Sequence, residues 1–122
     1  MYMHTVIETP AYLRAAAEAG MTDQDRELAV LTLAEKPQSG DIIQETGGCR
    51  KVRIAKEGTG KSGGYRLITY FGGNDIPVFL LTVFAKGQKA NLNQAERNAL
   101  AKLTKMLKAS YGGNVKQLRK ES

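Results

Sequence analysis

The sequence predicts an α+β fold in which an N-terminal strand and a helical hairpin precede antiparallel strands of a small twisted sheet and a C-terminal helix. Three observations support this: paired helix start and stop signals in the first 37 residues, three later segments of strand composition, and a final amphipathic segment behind a capping residue. The 122 residues suffice for one domain. We place that domain at residues 1–113 and expect a flexible basic tail at 114–122.

The N-terminal third contains the signals for one strand and two helices. Tyr2–Glu8 is predicted as a strand from its β-branched centre, and Pro10 suits the first turn of a helix that includes Ala11–Ala19. A second helix begins after Thr22, whose hydroxyl can form a capping box with the carboxylate three residues later, and it ends before Pro37. Its expected apolar side comprises Leu28, Ala29, Val30, Leu31, Leu33 and Ala34.

The segment at residues 50–55 has the alternation of a strand with one buried face. Val52 and Ile54 fall on one side, and Lys51 and Arg53 fall on the other. The segment therefore presents two positive charges on the face opposite its apolar residues.

Two further strands and a helix complete the domain. Tyr65–Phe71 and Val78–Phe84 are joined by a turn-forming cluster at 72–75, which predicts an antiparallel hairpin. The second strand is almost entirely apolar, as expected of a strand covered on both faces. Asn93 and Glu96 mark the start of the last helix. The helix's apolar positions are Ala95, Ala99, Leu100, Leu103, Met106 and Leu107.

The stretch AKEGTGKS at residues 55–62 has the permissive pattern of a nucleotide-binding P-loop. A P-loop leads into a helix, whose free N–H groups and dipole hold the phosphates. Here a strand pattern follows instead, and no apolar run ends in an aspartate that could hold Mg²⁺. We interpret the stretch as the glycine-rich tip of a β-hairpin.

Charge is divided unevenly along the chain. The net charge of +6 is the sum of −5 over residues 1–49, +6 over residues 50–89 and +5 over residues 90–122. Such asymmetry is typical of a polyanion-binding face, for which nucleic acid is the usual partner. No segment resembles a membrane span or a secretion signal, and a single cysteine suits a reducing compartment, so we expect a cytoplasmic protein.

Basic residues on three consecutive predicted strands and the turns beyond them can converge into one phosphate-binding site. Arginine offers a bidentate fork and lysine a compact charge. We predict a catalytic set of Lys51, Arg53, Arg66, Lys86 and Lys89. We predict RNA or ribosome contacts from Arg50, Lys56, Lys61, Tyr65 and Tyr70, the two tyrosines being able to stack on bases or to pack in the core.

The other chemistry-bearing residues restrict the mechanism. His4 is the only histidine, which excludes a paired-histidine ribonuclease, and the few carboxylates near the basic strands (Glu57, Asp75) do not favour a metal pair. Cys49 has no histidine nearby in the sequence to activate it as a nucleophile. A cleaving site here would use cations to stabilise a pentavalent phosphate, and a lysine to accept the 2′-hydroxyl proton, with neither metal nor cofactor. Its substrate would be RNA, because DNA lacks that hydroxyl.

Several segments together resemble the RelE/HigB family of bacterial type II toxins, especially its HigB-like branch. They are TGGCRKVRIA, GKSGGYRLITYF and VFLLTVFAKGQKANLNQAE, with further similarity in ETPAYL and DIIQETGG. The resemblance covers roughly residues 5–107. It implies a RelE-like fold and a ribosome-dependent mRNA endonuclease whose basic sheet residues map onto Lys51, Arg53, Arg66, Lys86 and Lys89.

The resemblance also implies partners. These are the ribosome and mRNA, a HigA-like helix-turn-helix antitoxin and, through the antitoxin complex, operator DNA, with no membrane partner. RelE has a catalytic tyrosine near its C-terminus, where this chain has Asn91, Leu92 and Asn93. Tyr70 and Tyr111 are then candidates for the general base.

Two other functions fit the same sequence. A ParE-like protein would share the architecture and inhibit DNA gyrase by binding, although gyrase binding does not require a basic cluster on the sheet. A non-catalytic nucleic-acid-binding module would also use the basic face, and it would bind RNA with strong salt dependence but without cleavage.

Overall fold

The computed structural model describes residues 3–56, 64–89 and 91–112. In chain order the elements are β1 (Val6–Glu8), α1 (Pro10–Ala19), α2 (Asp23–Glu35), β2 (Asp41–Ile42), β3 (Cys49–Ile54), β4 (Tyr65–Tyr70), β5 (Val78–Ala85) and α3 (Gln94–Leu107), followed by a π-helical turn, Lys108–Gly112. The predicted α+β class is confirmed. None of the helices in these ranges is both long and apolar enough to cross a membrane.

The sheet has five strands in the order β1-β5-β4-β3-β2. The predicted antiparallel pairing of β4 with β5 is confirmed, and β3 also pairs antiparallel with β4. Two features were not predicted: β1 runs parallel to β5, and the short strand β2 extends the sheet beside β3. The predicted strand from Tyr2 is too long, since the backbone N–H of His4 donates instead to the carbonyl of Ala34 at the end of α2.

Two apolar clusters cover the two faces of the sheet. On one face α1 and α2 contribute Tyr12, Ala16, Ala29 and Leu33, which pack against alternate residues of β3, β4 and β5. On the other face Leu100 of α3 packs with Cys49, Ile68, Tyr70, Phe79 and Phe84. The central strand β4 is therefore buried along its whole length.

The predicted helix caps are confirmed. Thr22 and Asn93 each form a capping box with the residue three positions on, and Gly20 ends α1 in a left-handed conformation at φ 80°.

The predicted apolar sides of the second and last helices were partly wrong. Leu28 and Leu31 on α2 are 43% and 48% exposed, and Met106 on α3 is 67% exposed. Because an α-helix turns every 3.6 residues, the buried stripe of α2 passes through Ala29 and Leu33 and leaves both leucines on its flanks.

The interpretation of AKEGTGKS as a hairpin tip agrees with the strand pairing on either side of it. β3 and β4 pair continuously from Cys49 opposite Tyr70 to Ile54 opposite Tyr65. The strand β4, not a helix, follows Gly64, so the arrangement of a P-loop is absent there. Residues 57–63, like the predicted tail at 114–122, lie outside the described residues.

Candidate nucleic-acid interface and active site

The pairing of β3 with β4 brings three of the predicted catalytic residues, Lys51, Arg53 and Arg66, to one face of the sheet. Arg53 lies directly opposite Arg66, and Lys51 lies opposite Ile68. Val52 and Ile54 belong to the cluster under α1 and α2, so alternation along β3 directs Lys51 and Arg53 to the α3 side. Arg66 alternates with Ile68 and Tyr70 and shares that side. The predicted separation of apolar and basic faces on β3 is confirmed.

The two arginines differ in their exposure. Arg53 is exposed, whereas Arg66 lies on the central strand and is only 8% exposed. Arg66 Nη1 is 3.4 Å from the carbonyl oxygen of Tyr65, and on its other side Arg66 lies opposite Phe84 of β5. Arg66 is thus a packed cation with little freedom, and Arg53 is a solvent-facing one.

The turn after β5 brings two more predicted residues to the same end of the sheet. The backbone N–H of Lys86 donates to the carbonyl of Gly64 at 3.2 Å, which places Lys86 beside the start of β4. The turn is closed by Gln88, whose side-chain oxygen accepts from the N–H of Ala85 at 2.7 Å. Beyond it, Lys89 forms an ion pair with Glu96, and its ammonium lies 5.7 Å from the ring centroid of Phe84.

Lys51 borders the same region from β3. Its Nζ is 3.5 Å from Oδ1 of Asn91, a weak contact that places the segment leading into α3 beside the basic strands. Strand pairing and the turn after β5 thus bring five basic residues to this part of the sheet. We call them the cationic cluster: Lys51, Arg53, Arg66, Lys86 and Lys89.

The residues predicted to bind RNA or the ribosome are not brought together in the same way. Arg50 is directed away from the cationic cluster, and its Nη1 donates to the carbonyls of Gln38 and Gly40, both at 3.1 Å. These two hydrogen bonds hold the segment before β2 against β3. Lys56 is exposed just beyond β3, where it can extend the basic surface, and Lys61 lies outside the described residues.

The expectation that Tyr65 and Tyr70 stack on bases does not fit their positions. Tyr65 is fully buried on the α1–α2 side, where its hydroxyl donates to Oδ2 of Asp25 at 3.1 Å. Burial and this bond raise the pKa of Tyr65 above its ordinary value. Tyr70 is 3% exposed within the cluster under α3. Both tyrosines are core residues, which is one of the two roles considered from the sequence.

Neither tyrosine considered as a general base lies near the arginine pair of the cationic cluster. Tyr70 is four residues from Arg66 along β4, about 13 Å at the usual strand rise. The ring of Tyr111 packs edge-on against Phe79, with centroids 5.1 Å apart, at the opposite end of β5 from Phe84. Neither hydroxyl is therefore placed beside Arg53 and Arg66.

The other reactive groups serve the fold. Cys49 is fully buried, and burial raises the pKa of its thiol to about 11, which disfavours the thiolate that a nucleophile requires. His4 is also buried and hydrogen-bonds through Nε2 to the carbonyl of Ile76 at 2.8 Å. In residues 3–56, 64–89 and 91–112, no group of three or more histidine, cysteine, aspartate or glutamate side chains is arranged to hold a metal ion.

Three residues of this region were not predicted as site residues. Phe84 and Glu96 contact Lys89, and Asn91 contacts Lys51. In the sequence, Glu96 was identified only as a capping residue and Phe84 only as part of an apolar strand. The contact between Glu96 and Lys89 spans seven residues and depends on how the chain enters α3, so no local periodicity indicates it.

A comparison with protein families shows the family to which the chain belongs. A family model described as "RelE toxin of RelE / RelB toxin-antitoxin system" matches residues 5–122. The sheet and helices agree with a RelE-like fold. Toxins of this family are generally endonucleases that act on mRNA, and they are encoded with an antitoxin. The chain belongs to the RelE family and is the toxin of a toxin–antitoxin system.

Proposed function

We propose that this toxin is a ribosome-dependent endonuclease that cleaves mRNA during translation by attack of a 2′-hydroxyl on the adjacent phosphate, without a metal ion. The observation that carries the proposal is the cross-strand pair of Arg53 and Arg66 on the face that also bears Lys51. Two guanidinium groups side by side on one face can bind a single RNA phosphate with charge-assisted hydrogen bonds.

The different exposures of the arginines suggest different roles. Arg66 is held by its packing, so its guanidinium is suited to stabilise the charge that develops on phosphate oxygens in the transition state. Arg53 is exposed and suited to grip the RNA backbone as it enters. The exposed Lys56 and Lys86 extend the basic surface along the strand ends.

A lysine of the cluster, in its uncharged amine form, accepts the 2′-hydroxyl proton, and a protonated lysine of the cluster or a water molecule donates a proton to the leaving 5′-oxygen. Lys89 is engaged by Glu96, whereas the one hydrogen bond found for the Lys51 side chain in the described residues is the long contact with Asn91. We therefore assign proton acceptance to Lys51 and phosphate neutralisation to Lys89. A 2′,3′-cyclic phosphate and a free 5′-hydroxyl are the expected products.

The assignment to the HigB-like branch rests on the basic strand motifs of the sequence. On this proposal the toxin acts in the cytoplasm, and its antitoxin is a HigA-like helix-turn-helix protein that brings the complex to operator DNA.

Cell-free translation of a defined mRNA with the purified toxin tests this function. We expect cuts at codon-defined positions only when ribosomes translate the message, and a 2′-deoxynucleotide 5′ of the scissile phosphate should abolish the cut. Products ending in a free 3′-hydroxyl would contradict the mechanism. Inhibition of gyrase supercoiling with intact mRNA would support a ParE-like function instead, and salt-sensitive RNA binding without cleavage would indicate a binding module.

A further inference from the structure

The carboxylate of Glu96 makes two contacts at once. Its Oε1 accepts the backbone N–H of Asn93 at 2.9 Å, which completes the capping box at the start of α3. Its Oε2 accepts from the ammonium of Lys89, and the two side chains are about one-third exposed. The Lys89 hydrogen bond, followed by the Asn93 N–H, holds the pKa of Glu96 below its ordinary value. The carboxylate is thus ionised at neutral pH and joins the helix to the lysine.

The position of Lys89 relative to Arg66 follows from Phe84. The Lys89 ammonium lies over the Phe84 ring, 5.7 Å from its centroid, and Phe84 is the residue of β5 directly opposite Arg66. Lys89, Phe84 and Glu96 also line a small cleft of about 170 Å³, which Glu18 of α1 and Thr82 of β5 complete. The Lys89 ammonium therefore lies over the cross-strand neighbour of Arg66, on the face of the sheet that α3 covers.

We propose that Glu96 is a positioning residue that holds the Lys89 ammonium over Phe84, the cross-strand neighbour of Arg66, so that Lys89 meets the RNA phosphate without prior rearrangement. This inference rests on the proposed function and adds to it a carboxylate among the residues that organise the site. A lysine has a long flexible stem, so an unrestrained ammonium would sample many positions and seldom the productive one.

Two simpler roles for Glu96 make different predictions. A residue that only caps α3 would affect stability, and cleavage would follow the folded fraction. A carboxylate that only offsets nearby positive charge would weaken RNA binding, so its removal would lower the half-saturating toxin concentration and leave the maximal rate unchanged. A positioning residue would affect the maximal rate.

The substitution Glu96→Gln separates these roles, because glutamine retains an acceptor for the Asn93 N–H but loses the charge that holds Lys89. We would measure single-turnover cleavage of mRNA on programmed ribosomes against toxin concentration. The maximal rate per folded molecule should fall about tenfold, the half-saturating concentration should not rise, and the melting temperature should fall only slightly, because one partly exposed ion pair is lost. Glu45→Gln is the matched control, since Glu45 contacts Arg97 and Gln94 instead and should retain the wild-type rate.

Lys89→Ala tests the same pair without touching the cap. It should reduce the maximal rate at least as much as Glu96→Gln, and the double variant should lose no more than Lys89→Ala alone. A wild-type maximal rate in Glu96→Gln, or independent losses that multiply in the double variant, would overturn the inference while cleavage by wild-type toxin still supported the proposed function. Absence of cleavage by the wild-type toxin would overturn both.

Discussion

Arg53 and Arg66 are cross-strand neighbours that lie directly opposite each other on β3 and β4. The Cβ atoms of such a pair are about 4.5–5.5 Å apart, and like charges at this separation destabilise a sheet. One of the two is buried on the central strand, where a charged side chain is least expected. An apolar or acidic residue at one of these positions would favour the stability of the sheet more, and the proposed function gives the pair a role.

Arg53→Gln should therefore stabilise the protein while it weakens the toxin. Removing the exposed partner relieves the repulsion, and we expect the free energy of unfolding to rise by about 0.2–1 kcal/mol. Urea denaturation measures this change, with Lys102→Gln on α3 as a control for the lowered net charge. A lower free energy of unfolding in Arg53→Gln, with Lys102→Gln unchanged, would mean that Arg53 contributes to the fold.

Tyr65→Phe should reduce stability without affecting the chemistry. The Tyr65 hydroxyl donates to Asp25, which is 3% exposed, and the loss of one donor to a buried carboxylate costs about 1–3 kcal/mol. Thermal and urea unfolding measure the loss, and cleavage per folded molecule should remain at the wild-type level. Tyr111→Phe is the control, because the Tyr111 ring contact with Phe79 does not require the hydroxyl. A Tyr65→Phe toxin with unchanged stability and impaired cleavage would instead indicate that Tyr65 contacts the RNA.

The buried thiol predicts how stability depends on pH. Burial raises the pKa of Cys49 from 9.0 to about 11, so the folded protein retains a proton that the unfolded chain releases. This retained proton stabilises the folded protein fully below pH 9, and the stabilisation is lost as the pH rises to about 11. Its full size is at most about 3 kcal/mol for a shift of two pKa units. Tyr12, whose pKa burial raises to about 12, adds a further loss between pH 10 and 12.

Urea unfolding of the wild type and of Cys49→Ala at pH 8 to 11 tests this linkage. The variant should lose less stability than the wild type between pH 9 and pH 11, whatever its stability at pH 8. In the native wild type, the Cys49 thiol should also react far more slowly with an aromatic disulfide reagent than in the unfolded chain. Equal pH slopes for the two proteins, or fast labelling of the native thiol, would contradict the assignment.

The parts of the fold that local patterns determine were predicted correctly. Alternation in residues 50–55 was enough to separate Val52 and Ile54 from Lys51 and Arg53, and the side chains of Thr22 and Asn93 were enough to locate two helix starts. These features depend on the backbone geometry of a few neighbouring residues, so the identities of those residues are enough to predict them.

Features that depend on long-range packing were not predicted. The parallel pairing of β1 with β5 joins residues about 70 positions apart, and α3 covers Tyr70 although this tyrosine is on the same face as Arg66. Tyr65 is different, because it is adjacent to Arg66 in the strand and must point to the opposite face. The alternation of strand residues alone could therefore have predicted that Tyr65 and Arg66 lie on opposite faces of the sheet.

If the basic face of β3 and β4 performs the cleavage, the variants Arg66→Ala and Arg50→Ala should differ sharply in activity. Arg50 is on the same sheet but binds the carbonyls of Gln38 and Gly40, so it is a matched loss of one arginine away from the cationic cluster. In single-turnover cleavage on programmed ribosomes, Arg66→Ala should lower the maximal rate at least about a hundredfold, with its fold retained by circular dichroism. Arg50→Ala should cleave at the wild-type rate per folded molecule. Wild-type cleavage by a folded Arg66→Ala toxin, or equal losses in the two variants, would mean that the basic face of β3 and β4 does not perform the cleavage.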